Sequence, residues 1–392
     1  MNFLETLSKC GAKPHVATKA TLEVQSAEVG ASPMRMRLGE RLAVTLFGTS
    51  HGPCVGAMIE GLPPGIPVDH AAIQTRMAMR RPGQGIGSKR KENDAVRIAS
   101  GVHDGHTTGQ PMMIEIANAD VRTSDYTFLP NRPRPAHQDL PMHVRSEGRA
   151  DLSGGGSSSA RLTAGLVAAG AIVAPMIEHL GAQLTAHVGG IGPHEAPLPE
   201  HGKDWPTSAA ALVRCQDPEV AEAMVNHVES LKKERDSTGS RVDLVISDLP
   251  MGLGEPWFDG LEPALGRALL AVPGARAIEF GQGTRALSMR GSDHHGGWHP
   301  TENGPELRTN VGEGALGGLA SAADLVVRLT LKPPSSIPQA MPTVDLSTGD
   351  ASTLSVKGRH DPVLAPRGVA VVEAIAALVV TDLALRGGYL NG

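Results

Sequence analysis

Aromatic residues are scarce in this sequence: Trp, Tyr and Phe together make up 3% of 392 residues, although apolar residues reach 40%. The interior must therefore be built from Val, Leu, Ile and Ala. Basic residues are not in excess either, and the formal charge of −5 leaves no cationic stripe to neutralise a nucleic-acid backbone. That argues against nucleic acid as a partner. Cysteine is nearly absent: Cys10, Cys54 and Cys215 are far apart and form no CxxC pair. An odd count of isolated thiols suits a reducing cytoplasm and argues against a disulfide framework or a structural zinc site. The longest apolar run, Val369 to Leu385, is interrupted by Glu373 and Asp382. It reads as a helix packed on a core, so no membrane association is expected. The opening MNFLETLSKC has no basic start followed by an apolar block, as a secretory signal would.

Glycine (47) and proline (30) are plentiful, which predicts many turns and close backbone contacts. Residues 1–35 are mixed and polar and are expected to be a poorly ordered extension, or to stem from an upstream start codon in the gene. The domain is expected to run from Met36 to the C-terminus. Two stretches echo each other, Val55 to Asp69 (VGAMIEGLPPGIPVD) and Val242 to Asp259 (VDLVISDLPMGLGEPWFD). Each reads as an apolar strand, a Pro/Gly turn and an Asp placed to cap a helix, over Ala71–Met79 and Leu261–Leu270 respectively. Each half then returns to a strand, Pro111–Ala117 and Leu325–Leu331. Helices are also expected over Ser159–Leu180 and Pro218–Lys233. The pattern implies an α+β fold with two similar halves sharing one core, chance likeness of strand–turn–helix units being the rival explanation.

Five segments carry candidate chemistry. In Phe47-Gly48-Thr49-Ser50-His51-Gly52, flanking glycines would let Ser50 and His51 approach a ligand, though a histidine in such a turn also serves as a local hydrogen-bonding group. Arg132-Pro133-Arg134-Pro135-Ala136-His137-Gln138-Asp139 places two arginines and a histidine on a proline-stiffened backbone, suited either to gripping a phosphate and protonating it or to a solvated loop. Ser153-Gly154-Gly155-Gly156-Ser157-Ser158-Ser159-Ala160-Arg161 runs straight into an alanine-rich stretch, which favours an ordered, anion-facing helix start over a flexible linker. Lys332-Pro333-Pro334-Ser335-Ser336 and Lys357-Gly358-Arg359-His360-Asp361-Pro362 each put a cation in a turn. By contrast, Asp293 to His299 lacks ligand spacing and reads as a mobile loop rather than a metal site. No metal is expected.

Taken in order, seven phrases resemble the signatures of the chorismate synthase family: GTSHG, RRPGQ with KRKENDAVRIASGVHDGHTTGQP, RPAHQD, SGGGSSSAR, DSTGSRVDLVISDLPMGLGEPWFD, LKPPSSI and KGRHDP. They keep the family's order and spacing from about residue 38 to 386. The resemblance implies a compact β-α-β sandwich with helices between two sheets, usually a homotetramer. It also implies a lyase that removes phosphate from 5-enolpyruvylshikimate 3-phosphate by 1,4-elimination, giving chorismate, with reduced FMN required but no net redox change. By resemblance, His51 would protonate the reduced flavin and His137 the departing phosphate, while Asp361, Ser50 and Ser159 would assist proton movement at the flavin. Arg80, Arg134, Arg161 and Arg359 match substrate-binding positions. Ser157, Ser158, Ser159, Pro273, Gly274, Gly317, Lys332, Pro333, Pro334, Ser335, Ser336 and Arg359 match flavin contacts. NADPH or an external flavin reductase would keep the flavin reduced, and the latter is favoured because no reductase domain is visible. The chain departs from the usual pattern at Ser157, where many members have Arg, and at Pro273-Gly274, usually Asn-Ala. The competing expectation is a non-catalytic relative that keeps an anion or flavin pocket.

Overall fold

The computed structural model describes residues 34–81, 86–87, 94–119, 123–294, 296–302, 304–308, 312–356 and 361–391. The extension expected over residues 1–35 therefore lies almost wholly outside the described residues. So do Lys357, Gly358, Arg359 and His360.

The first half forms a five-stranded antiparallel sheet from β1 (Arg37–Leu38), β2 (Ala43–Gly48), β3 (Cys54–Glu60), β4 (Val96–Ser100) and β5 (Met112–Ala117), in the order β1-β2-β3-β5-β4. The second half repeats it with β6 (Gln183–Ile191), β7 (His194–Glu195), β8 (Ser240–Ser247), β9 (Ala275–Phe280) and β10 (Leu325–Leu331), in the order β7-β6-β8-β10-β9. Helix α1 (His70–Arg80) follows β3, and α2 (Thr163–His179) follows β5. After α3 (Pro218–Glu234), inserted between β7 and β8, the second half places α4 (Leu261–Leu269) after β8 and α5 (Ala365–Arg386) after β10. With the two-residue edge strands β1 and β7 and the inserted α3 set aside, both halves run strand, strand, helix, strand, strand, helix. The two similar halves anticipated from the strand–turn–helix echoes are present.

Period-two patterning explains how the sheets face the core. In β5, Met112, Ile114 and Ile116 are buried while Met113 and Glu115 turn outward; in β8, Val242, Leu244 and Ile246 are fully buried. Between the sheets, α2 packs on β3 and β5, α5 packs on β6 and β8, and the two helices pack on each other. Two glycines set that closeness. A Cβ on Gly170 would lie 2.5 Å from the Cβ of Ala374, and one on Gly165 would lie 2.8 Å from the carbonyl of Gly56.

Helix α5 is apolar on all sides because it is enclosed on all sides. It and Ala160–His179 have the length and composition of membrane spans, yet both are mostly buried inside the protein. Its two acids are structural. The Asp382 carboxylate accepts from the backbone N–H of Arg41 (2.7 Å), Leu42 (2.8 Å) and Glu40 (3.2 Å), tying the β1–β2 turn to the last helix. Glu373 accepts from Ala186 N–H (2.9 Å) and pairs with Arg76 (2.8 Å).

Two local expectations differ from the structure. Asp69 caps α1 as anticipated, accepting from Ala71 N–H at 2.7 Å. Asp259 does not cap α4, because extended Gly260 holds the cap position and Asp259 instead faces Arg386 at 3.1 Å. The described residues of the Asp293–His299 stretch are also not a simple loop. They contribute to a short helix, Gly291–His294, and a hairpin strand, Gly297–Thr301, paired with Gly304–Arg308.

Candidate active site

A cavity of about 790 Å³ opens between the halves. It is bounded by the C-terminus of α1, the loop before α2, the turn after β10, the approach to β9 and the start of α5. Of the residues singled out from the sequence, Arg80, Arg134, His137, Ser157, Ser158, Ser159, Arg161, Pro273, Gly274, Lys332, Pro334, Ser335, Ser336 and Asp361 all line it. Segments up to 281 residues apart in sequence meet in one place. Pro333 lies within the Lys332–Ser336 turn. Gly317 is elsewhere: it sits on the exposed turn of the hairpin Ala315–Ala320, beside the N-terminal end of α4, whereas the cavity lies at that helix's C-terminal end. Arg359 is outside the described residues.

The glycine-rich loop organises the site. Gly154, Gly155 and Gly156 have φ of 59°, 91° and 53°, a left-handed run that side chains resist. Regular helix begins later than the sequence suggested, at Thr163, after 3-10 turns. Ser159 Oγ caps the second of these by accepting from Arg161 N–H at 3.3 Å. The loop also separates two histidines. A Cβ on Gly154 would lie 2.3 Å from His51 Cε1, and one on Gly155 would lie 3.6 Å from His137 Cε1. Ser50 Oγ is 3.1 Å from His51 Nδ1 and donates to the Ser153 carbonyl at 2.8 Å, fixing the first turn to this loop. Tyr126 meets the His51 ring edge to face at 5.1 Å.

His137 is held differently. Its Nδ1 lies 2.8 Å from the Asp139 carboxylate, which also takes two 2.7 Å hydrogen bonds from the Arg134 guanidinium. Burial pushes the Asp139 carboxyl up, but the hydrogen bonds from Arg134 and His137 outweigh it and hold it far below the ordinary carboxylate range. With Nδ1 directed at Asp139, Nε2 is the nitrogen available for acid–base work. The backbone of this loop docks on the turn after β10, since the Ala136 carbonyl accepts from Lys332 Nζ (2.7 Å) and Ser335 Oγ (3.0 Å).

Arg80 and Arg161 share one acid. Arg80 donates to Asp94 at 2.6 Å, and Arg161 donates to Asp94 and, at 2.9 Å, to Asn118. Burial of Arg80, with Arg367 and Arg161 nearby, pushes its guanidinium down to about 10. Burial raises the Asp94 carboxyl, yet the two arginines prevail and keep it low. Three of the four arginines expected to grip substrate are thus braced by buried carboxylates, Asp94 and Asp139, to which the sequence had suggested no role. On another wall, Arg267, Arg276 and Lys332 have no carboxylate at ion-pair distance among the described residues. Burial and neighbouring Arg276 hold the Lys332 ammonium below its ordinary value. Val44, Leu46, Leu166 and Ile375 supply an apolar surface. His137 lines the cavity, whereas Ser50 and His51 stand against Gly154 and are not among its lining residues. The arrangement can hold a polyanion beside a flat apolar group and present His137 to it.

A family model described as chorismate synthase matches residues 42–385. A curated chorismate synthase from Aeropyrum pernix is 42% identical over 353 residues, spanning 90% of this chain and 93% of its own. One from Methanosarcina mazei is 39% identical over 354 residues, spanning 90% and 97% respectively. Among solved structures, one described as a crystal structure of chorismate synthase superposes with a TM-score of 0.69 at 24% identity, covering 89% of this chain and 93% of the other.

Proposed function

The chain belongs to the chorismate synthase family, and from that premise we propose that the cavity between its halves is where phosphate is eliminated from 5-enolpyruvylshikimate 3-phosphate, giving chorismate. It is a lyase of the shikimate pathway, serving aromatic amino acid biosynthesis. The observation that carries the assignment of the site is His137 on the wall of an arginine-lined cavity, with His51 packed against Gly154, a lining residue of the same cavity.

The residues present suit reduced FMN as cofactor. The cavity lies within the usual size of small-molecule pockets, about 300–1,000 Å³. Its apolar wall suits a ring system, and the hydroxyls of Ser157, Ser158, Ser335 and Ser336 with Lys332 and Arg276 suit a phosphate. Gly274 closes one side, since a Cβ there would lie 2.5 Å from Leu364 Cδ1. Ser157–Ser159, Pro273–Gly274 and Lys332–Ser336 would hold the flavin, which supplies an electron-rich ring with no net redox change.

The chain's own task is charge and proton placement. A substrate with two carboxylates and a phosphate needs guanidinium groups in fixed geometry, and Asp94 and Asp139 fix Arg80, Arg161 and Arg134. His137, braced at Nδ1, donates a proton from Nε2 to the leaving phosphate. Such acid catalysis is typically worth about 10²–10⁴ in rate. Asp361 and Ser159, on the cavity wall, and His51, tied to Ser50 on the other side of the loop, hold the remaining protons.

The reading extends to residues 36–392 as one catalytic domain, assembled as a cytoplasmic homotetramer and supplied with reduced flavin by NADPH or an external reductase. The family and the isolated thiols support it. The test is an anaerobic assay with purified protein, chemically reduced FMN and 5-enolpyruvylshikimate 3-phosphate, following chorismate and phosphate together. Equal appearance of both is expected; neither, from folded flavin-binding protein, would favour a non-catalytic relative.

A further inference from the structure

Arg367 is a cation in an unfavourable place. It occupies the third position of α5, in the first turn, where the helix's own dipole disfavours positive charge. Its guanidinium also repels those of Arg80 and Arg214, each pushed down to about 10 first by burial and then by Arg367. Two contacts offset this. Nη1 donates to Asp361 Oδ2 at 2.7 Å, and Nε donates to the Arg80 carbonyl at 3.1 Å, the last carbonyl of α1. One planar fork thereby links the cavity carboxylate of the second half to the helix end that carries a cavity arginine of the first.

We propose that Arg367 is a positioning residue that aims the Asp361 carboxylate into the cavity while locking the α1 terminus against it. The assignment rests on the proposed lyase reaction, in which Asp361 handles protons. A planar fork holds both contacts in one fixed geometry, whereas a lysine presents a compact ammonium on a flexible stem and would not keep the two directions rigid. A misplacement on the order of 1 Å in such a group costs about 10²-fold in rate.

The test uses the full chain and the variants Arg367→Gln, Arg367→Lys, Asp361→Asn and the Gln/Asn double. In anaerobic turnover, Arg367→Gln should lower kcat at least tenfold while the substrate KM stays within threefold. Arg367→Lys should fall between it and the wild type. Added to Asp361→Asn, Arg367→Gln should cost less than a further threefold, because it acts through that carboxylate. A tenfold rise in KM at unchanged kcat would mean that Arg367 binds substrate directly and would overturn the assignment; so would additive losses, or an unchanged kcat. Wild-type turnover in the same assay separates failure of this assignment from failure of the lyase reading. A ligand-free measurement stands apart from both: amide exchange around Asp361 should quicken at least fivefold in Arg367→Gln, and unchanged exchange refutes the brace whatever the activity. If the glutamine variant does not fold, the lysine variant carries both comparisons.

Discussion

Replacing Asp139 by Asn removes one charge from a buried cluster of three groups. Asp139 is 1% exposed and Arg134 is 5% exposed, so the arginine loses its counter-charge where water cannot replace it. Breaking a buried pair on one side costs about 3–5 kcal/mol. The amide keeps one acceptor oxygen, so the lower end, about 3 kcal/mol, is expected from chemical denaturation at pH 7. The pH dependence gives a second check. The folded Asp139 carboxyl is held far below its ordinary value, so its contribution is fully present above the unfolded carboxylate value of about 3.9 and is lost as pH falls towards the folded value. Wild-type stability should therefore decline more steeply below about pH 4 than that of Asp139→Asn. Turnover should fall as well, because His137 loses the negative charge facing its Nδ1. A variant within about 1 kcal/mol of wild type at pH 7, with the same acid limb and full turnover, would refute the role given to this carboxylate.

Gly154→Ala forces a Cβ to 2.3 Å from the His51 ring and 2.8 Å from Ser50 Oγ. The protein should fold but turn over at least tenfold more slowly. Gly65→Ala is the control: its φ is 87° and nothing lies within 4 Å of the added carbon, so it bears the backbone cost of about 1–2 kcal/mol with turnover unchanged. Asp382→Asn should lower stability by about 1.5–3 kcal/mol, since charge-assisted bonds to backbone N–H groups weaken. Amide exchange at Glu40 to Leu42 should quicken with it.

Much of the architecture was legible because local and global signals agree. The strand over Leu325–Leu331 and the helices at His70–Arg80 and Leu261–Leu269 combine clear periodicity with Pro/Gly punctuation, and their repetition disclosed two halves. Arg134, Arg161 and Lys332 were legible as motifs, but Arg267 and Arg276 on another wall were not, and neither were the roles of Asp94 and Asp139 as counter-charges. Asp94 stood inside KRKEND and Asp139 inside RPAHQD, yet nothing local indicates that Asp94 neutralises an arginine 67 residues away. Arg367 did leave a signal, a cation opening a helix that is apolar on all sides, where the dipole argues against it. The Gly291–His294 turn and the hairpin after it escaped because clustered histidines and glycines carry no period. Asp259 misled for a simpler reason. Capping chemistry was present, but the backbone placed Gly260 at the cap.

The central claim is that His51 and His137 act on one ligand pair across the Gly154–Gly155 turn. The most direct measurement is anaerobic turnover of His51→Ala and His137→Ala beside the wild type, with assembly and thermal stability checked for each. The account predicts at least a tenfold loss in both variants with fold and assembly intact; near-wild-type rates in both would contradict it.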